Sequence, residues 1–264
     1  MRMRRTTRRG LFVALCILAP VIALASTTVT EVQKATATAI ALTSSTPTFG
    51  ATPTAQNYVV ALGDGTSNSA TYSFTDSLSH TLTSLVSQNH EAMAGYPVPS
   101  PTPGKTYTCA ASAANMTDCG VVELAGVSTA PPSQIASSSC SSTSGACTAT
   151  PSTTYLNGIV MCLGYDLTAT GDISTITFTN AGTPVTIYSE LTSGGEALYA
   201  PVTGSPVSCT VSAGTHTGDT IRALVADFGP TPPATGCLFP TPFPCSFNTA
   251  QVDRVRVIHT WVRP

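Results

Sequence analysis

Hydrophobic and polar residues alternate most clearly along Tyr155–Tyr199, and this stretch predicts consecutive β-strands. Ile176 and Phe178 would lie on one face of a strand, with threonines on the other. Asn180–Pro184 would reverse the chain, because Asn and Gly tolerate positive φ and Pro keeps the preceding residue extended. A second reversal is expected at Ser193–Glu196. The pattern predicts a meander whose apolar face packs against another sheet.

Shorter runs of apolar or alternating residues predict further strands at Tyr58–Leu62, Ala70–Thr75, Lys105–Cys109, Cys119–Val127, Val207–Val211, Thr220–Asp227 and Val252–Val262. The fold class predicted is all-β. We expect an antiparallel β-sandwich, Ig-like or jelly-roll-like, with long Ser/Thr/Pro-rich loops and disulfide bracing.

One segment follows helical spacing instead. Apolar residues between Leu78 and Met93 recur every three or four positions, with Asp76 or Ser77 placed to cap the N-terminus. Gly95-Tyr96-Pro97 would end the helix. The fold is therefore expected to hold at most one or two short helices.

Residues 1–25 are typical of a secretory signal peptide. Arginines near the N-terminus precede an apolar run, and Ala23-Leu24-Ala25 provides a small-residue cleavage site before Ser26. Two alternatives remain open: Thr7–Phe12 is similar to a twin-arginine export motif, and Arg8-Arg9-Gly10 resembles a type IV prepilin cleavage site. Only an uncleaved N-terminal segment would place the protein in a membrane.

The mature chain divides into residues 26–50, an N-terminal extension, and residues 51–264, a β-sandwich domain. Ala35–Leu42 alternates alanine with Thr, Ile and Leu, which predicts either the first strand of this domain or a donor strand for a neighbouring subunit. The proline-rich segment 97–104 is a candidate boundary between two lobes.

The charge composition limits the classes of partner that the protein is expected to bind. Only 9% of the 264 residues are charged, against about 25% in ordinary soluble domains, so Ser and Thr must cover the surface. Without residues 1–25, six basic residues remain against 13 acidic ones, a net charge of about −7. This argues against nucleic acid and anionic membrane surfaces, which bind clustered Lys and Arg.

Cysteine usage indicates an oxidising compartment. Cys16 lies within the signal peptide, and the other eight form an even set that predicts disulfides. Proximity in the sequence suggests the pairs Cys109–Cys119, Cys140–Cys147, Cys162–Cys209 and Cys237–Cys245. Zinc is disfavoured because no C-x2-C pair is present. Asn115 heads an N-glycosylation sequon and is a candidate glycosylation site.

Val59–Thr66 resembles the opening block of GDSL/SGNH-type hydrolases, in which a strand leads into Gly-Asp-Ser. The resemblance would imply a serine nucleophile, but Gly65 stands in that position, so Thr66 or Ser67 would have to replace it. The family's Asp-x-x-His partner is also absent, since Asp253 precedes His259 by six residues.

Gly-Asp recurs at Gly171-Asp172 and Gly218-Asp219, each time before a predicted strand. Asp in such a place accepts hydrogen bonds from nearby backbone amides. We therefore interpret Asp64 as a turn residue, and no catalytic residue is assigned.

Calcium is the one cofactor that the sequence leaves open. Its candidate ligands are Asp64 with Asn68, or Asp172, Glu190 and Glu196 brought together by the meander. The histidines are interpreted as partly exposed strand residues: His80, His90, His216 and His259.

The sequence thus predicts a secreted or cell-surface structural or interaction protein, which self-associates or binds an extracellular protein or glycan. One form of this hypothesis is a fibre subunit assembled by β-strand addition. The alternatives are a secreted hydrolase of polysaccharides or esters, and a carbohydrate- or calcium-binding accessory module. The accessory module would need aligned exposed aromatics, with candidates Tyr155, Tyr165, Tyr188 and Tyr199.

Overall fold

The computed structural model of the protein describes residues 28–65, 70–100, 104–112, 116–129, 134–167, 173–190, 195–213 and 220–232. These ranges contain sixteen β-strands in antiparallel sheets and no helix, which confirms the all-β prediction. Accordingly, nothing in them could cross a membrane as a long apolar helix. The described strands belong to a compact unit that ends at Pro232. The predicted signal peptide, Asn115, Val252–Val262 and the pair Cys237 and Cys245 lie outside the described residues.

The first eight strands form a β-sandwich that we call the first lobe. Its five-stranded sheet has the order β1-β8-β3-β6-β5, and its three-stranded sheet has the order β2-β7-β4. The strands are β1 Thr30–Leu42, β2 Ser44–Ser45, β3 Tyr58–Gly65, β4 Tyr72–Asp76, β5 Thr83–Gln88, β6 Glu91–Pro97, β7 Tyr107–Ala111 and β8 Met116–Ala125.

The last eight strands form the second lobe. Its sheets have the orders β9-β16-β11-β14-β13 and β10-β15-β12. The strands are β9 Ile135–Ser142, β10 Ala146–Ala149, β11 Ile159–Asp166, β12 Ile173–Thr179, β13 Val185–Glu190, β14 Gly195–Pro201, β15 Ser208–Ala213 and β16 Ile221–Phe228.

The two lobes repeat one topology. Adding eight to each strand number of the first lobe reproduces both sheets of the second lobe. The register agrees as well. Ala61 on β3 pairs with Ala94 on β6, and the residues at the same positions of the equivalent strands, Cys162 on β11 and Leu198 on β14, also pair. This internal repeat was not predicted from the sequence.

The four sheets stack in four layers, with the two five-stranded sheets in the middle. Three apolar clusters separate the layers. One lies between the two five-stranded sheets, and one lies inside each lobe between its five-stranded and three-stranded sheets. A central sheet therefore has both faces buried, which explains the unbroken apolar runs of β3 and β11.

Successive residues in those runs still alternate between the two faces of the sheet. In β3, Val60 and Leu62 face the other lobe, whereas Val59 and Ala61 face the three-stranded sheet of their own lobe. Successive strand residues point to opposite faces, so one strand contributes to two cores.

The helix predicted between Leu78 and Met93 is wrong. The segment forms β5 and β6, joined by a tight turn in which His90 has a φ of 77°. The apolar residues that suggested the helix are spread over different elements: Leu78 and Leu82 precede β5, Leu85 and Val86 lie on β5, and Met93 lies on β6. Asp76 closes the preceding turn by accepting the N–H groups of Leu78 and His80.

The predicted meander is only partly correct. Asn180 has the expected positive φ of 56°, but the chain does not fold back beside β12. It crosses between sheets instead, because β12 pairs with β15 while β13 pairs with β14. The second reversal does join neighbouring strands, β13 and β14.

Ala35–Leu42 belongs to the protein's own first strand. β1 pairs with β8 from Thr30 to Leu42 and forms an edge of the five-stranded sheet. The lobes divide between β8 and β9, so the proline-rich segment 97–104, considered as a boundary, lies within the first lobe between β6 and β7.

Three disulfides brace the lobes, in the pairs suggested by the spacing of the cysteines. Cys109–Cys119 and Cys162–Cys209 each join a three-stranded sheet to a five-stranded one, with Cα–Cα distances of 6.1 and 6.2 Å. Cys140–Cys147 joins β9 to β10, with a Cα–Cα distance of 6.0 Å. These crosslinks are consistent with an extracellular environment.

Candidate functional site

The Gly-Asp motif does not form a turn. Asp64 lies inside β3, is fully buried, and follows Leu62 on the face toward the second lobe. The backbone N–H of Asp118 donates to its Oδ1 at 3.2 Å. The interpretation of Asp64 as a turn residue is therefore wrong; the carboxylate is an interior group between the lobes.

Glu91 lies directly opposite Asp64 on β6. Its side chain is fully buried, and neither carboxylate oxygen has a hydrogen-bond partner among the described residues. Burial and then the charge of Asp64 raise the pKa of Glu91 well above its usual value, and the nearby Arg222 offsets part of this. The sequence analysis did not single out Glu91.

Aromatic and basic groups surround this pair, which we call the buried acid pair. His90 stacks on Tyr165 with ring centroids 5.1 Å apart, and its Nδ1 lies 2.9 Å from the carbonyl oxygen of Gly65. Burial lowers the pKa of His90. Burial, followed by the charge of Asp64, raises the pKa of Tyr188. Arg222 donates to the carbonyl oxygen of Asn89.

This arrangement has no exposed carboxylate with which to reach a substrate. Asp64 and Glu91 have no solvent-accessible surface, so their direct effect is on the packing and pH response of the lobe interface. A hydrolase mechanism would need residues that lie outside the described ranges: Thr66, Ser67, Asp253 and His259.

The calcium hypothesis gains no ligand set in the described ranges. No group of three His, Cys, Asp or Glu side chains there is arranged to hold a metal ion. Glu196 is half-buried, and burial raises its pKa. Asn68, Asp172 and the side chain of Glu190 lie outside the description.

Other carboxylates organise loops. Asp76 is buried and accepts hydrogen bonds from His80, Tyr96 and the backbone N–H of Gly104 in addition to the turn amides. Burial alone would raise its pKa, but these hydrogen bonds, led by that of His80, lower it.

Glu123, on β8, fixes the loop that precedes β3. Its Oε1 accepts from the backbone N–H of Thr54 at 2.7 Å and from Asn57 Nδ2 at 2.6 Å, and its Oε2 accepts from Gln33 Nε2 at 2.6 Å. Such acceptors hold polar loops against the sandwich.

Three of the four tyrosines considered as a sugar platform are buried in the lobe interface: Tyr165, Tyr188 and Tyr199. Tyr155 is half-buried, and its backbone N–H donates to Asp227. The expected row of exposed aromatics is therefore absent from these positions, because the face that carries them is covered by the other lobe.

A separate concave surface lies in the first lobe between β4 and β5, with β6 below it. It encloses about 490 Å³, within the range of ordinary ligand sites. We call it the first-lobe groove. The lining residues are Ala70, Thr71, Tyr72, Ser73, Phe74, Thr81, Leu82, Ser84, Ser87, Gln88, Asn89, Ala92 and Ala94.

Comparison with known proteins returned no matching family model, no matching curated protein and no matching solved structure. The chemistry of the site and the fold are therefore the basis for any function assigned below.

Proposed function

We propose that the protein is exported and acts as a structural or interaction protein at or beyond the cell surface. The three disulfides suit an oxidising compartment. Asp76 and Glu123 hold loops through hydrogen bonds, whereas the exposed strand positions carry mainly Ser and Thr. Such surfaces are suited to binding and packing.

The observation that carries the proposal is the position of β1 at the edge of the first lobe's five-stranded sheet. Among the described residues, this 13-residue strand has β8 as its one neighbour in that sheet. A strand at a sheet edge can accept a strand from another molecule. Self-association by strand pairing is therefore the form of interaction that we propose, with β1 remaining in its own sheet.

Substitution on the exposed face of β1 tests this. Val32 and Thr36 are exposed and flank Lys34, so a Val32→Lys/Thr36→Lys variant would present three lysines along the edge. Their mutual repulsion should prevent two edges from pairing. Ser152→Lys/Thr153→Lys adds the same charge on an exposed loop and is the control.

Light scattering and electron microscopy of the exported protein would give the oligomeric state. We expect multimers in the native protein and the loop control, and monomers in the β1 variant. A monomeric native protein, or multimers that persist in the β1 variant, would refute association through this edge. N-terminal sequencing of the exported form should begin at Ser26; a start at Leu11 would point to prepilin processing.

A further inference from the structure

The first-lobe groove has an apolar floor and neutral polar walls. Ala92 and Ala94, on β6, are buried and form part of its floor. The walls carry hydroxyl and amide groups from Ser73, Thr81, Ser84, Ser87, Gln88 and Asn89, among others. No lining residue is charged.

These groups match the chemistry of a neutral sugar chain. Hydroxyl and amide side chains both donate and accept hydrogen bonds, as sugar hydroxyls do. The C–H faces of sugar rings are apolar and can pack on alanine and aromatic surface, which Tyr72 and Phe74 supply. An acidic or basic ligand would find no counter-charge in this lining.

The second lobe provides an internal comparison. At the positions equivalent to Ala92 and Ala94 in the strand register, it has Glu196 and Leu198. Leu198 is buried in the core of that lobe, and Glu196 brings a carboxyl group. The small, uncharged floor is therefore a property of the first lobe and not a requirement of the shared topology.

We propose that the first-lobe groove binds an uncharged polysaccharide, with its chain running between β4 and β5. This deepens the proposed role as an interaction protein and rests on it. The alanines of β6 provide room for a sugar ring, and the side chains of β5 contribute hydrogen bonds along one wall.

Two sets of variants test the groove, each with a matched control in the other lobe. Ala94→Leu introduces the residue that the second lobe carries, and Leu198→Ala is its reciprocal. Ser84→Ala/Ser87→Ala removes two wall hydroxyls, while Thr186→Ala/Ser189→Ala removes the register equivalents on β13. The two serines of β5 are exposed, so that variant should fold even if Ala94→Leu does not.

Native gel electrophoresis through matrices that contain dextran, hydroxyethyl cellulose or glucomannan measures binding as retardation. Polygalacturonate serves as the charged polymer. We expect at least one neutral polymer to retard the native protein and both second-lobe variants, with at least a tenfold weaker effect on the two groove variants.

Migration unchanged in every neutral gel, retardation by polygalacturonate alone, or retardation insensitive to the groove variants would overturn the proposal. So would binding of a labelled Ala35–Leu42 peptide that Ala94→Leu abolishes, since the groove would then hold a strand. A protein that is exported and multimeric but not retarded would lose only the glycan assignment, and the proposed function would stand.

Discussion

Asp64 and Glu91 lie opposite each other on β3 and β6, and both are fully buried between the lobes. Two adjacent buried carboxyl groups cannot both ionise without a large cost, so Glu91 retains its proton to a higher pH in the folded protein than in the unfolded chain. Its stabilising contribution is complete below the unfolded pKa and is lost as pH rises toward the folded value.

Stability should therefore fall as pH rises above about 4.5, with a slope of at most about 1.4 kcal/mol per pH unit from this group. Glu91→Gln removes the titrating proton and should flatten that slope. Denaturant unfolding of the oxidised protein between pH 4.5 and 8 would measure it. An identical slope in Glu91→Gln would contradict the assignment.

Asp227 contributes with the same sign. Burial raises its pKa to about 7, although hydrogen bonds from the N–H groups of Tyr155 and Phe228 act against this rise. Its contribution is complete below the unfolded pKa near 4 and disappears as pH approaches about 7. We expect Asp227→Asn to make the fall of the unfolding free energy with pH less steep, mainly below pH 7. A Glu91→Gln/Asp227→Asn variant that retains the full native slope would show that other groups control it.

Gly195 should tolerate no side chain. A Cβ at this position would lie 1.8 Å from Oδ2 of Asp64, so Gly195→Ala would force the buried acid pair or β14 to move. We expect a loss of about 1–3 kcal/mol in unfolding free energy, typical of overpacking. Gly50→Ala is the control, because nothing lies within 4 Å of its Cβ. Equal stabilities of the two variants would argue against contact between Asp64 and the second lobe.

Much of the secondary structure could be predicted from alternation alone, including the strands around Tyr58, Cys119 and Cys209. The order of strands in the sheets could not. Asn180 signals a change of direction, but a local signal cannot tell whether the chain returns beside β12 or crosses to another layer. Which of these happens depends on which sheet still lacks a strand at that point of the chain.

The buried site was missed for a related reason. Glu91 falls within the helix predicted between Leu78 and Met93, where nothing local distinguishes it from a solvent-exposed residue, and its burial comes from a second lobe far along the chain. Comparison of Glu91–Pro97 with Gly195–Pro201 would not have revealed the repeat, since in register the two strands share only their final proline.

Asp76 should be the most costly carboxylate to remove from the first lobe. Its carboxylate accepts several hydrogen bonds, so Asp76→Ala would leave all of their donors without an acceptor. The donors belong to Leu78, His80, Tyr96 and Gly104. We expect a loss of about 3 kcal/mol or more.

The pH response of Asp76 is opposite to that of Glu91. Because its pKa is lowered, its contribution is present above the unfolded pKa near 4 and is lost as pH falls through the folded value. Acid unfolding of the native protein and of Asp76→Asn would reveal this. A variant as acid-stable as the native protein, and equally stable at pH 7, would contradict the role of Asp76.

The two fully buried disulfides, one inside each lobe, offer a controlled comparison of loop length. Cys109–Cys119 closes 10 residues and Cys162–Cys209 closes 47. All four sulfur-bearing residues are fully buried, so the paired serine substitutions carry similar packing penalties. The loop entropy lost on crosslinking is about 3 kcal/mol for the shorter loop and about 4 kcal/mol for the longer.

Removing Cys162–Cys209 should therefore destabilise the protein by about 1 kcal/mol more than removing Cys109–Cys119. Urea unfolding of Cys109→Ser/Cys119→Ser and Cys162→Ser/Cys209→Ser, with the other bonds intact, would measure the difference. The two bonds link equivalent layers of the two lobes. If removing Cys109–Cys119 were the more destabilising, the unfolded chain would have to keep structure around β11 and β15. The longer crosslink would then restrict the unfolded chain less than its length suggests.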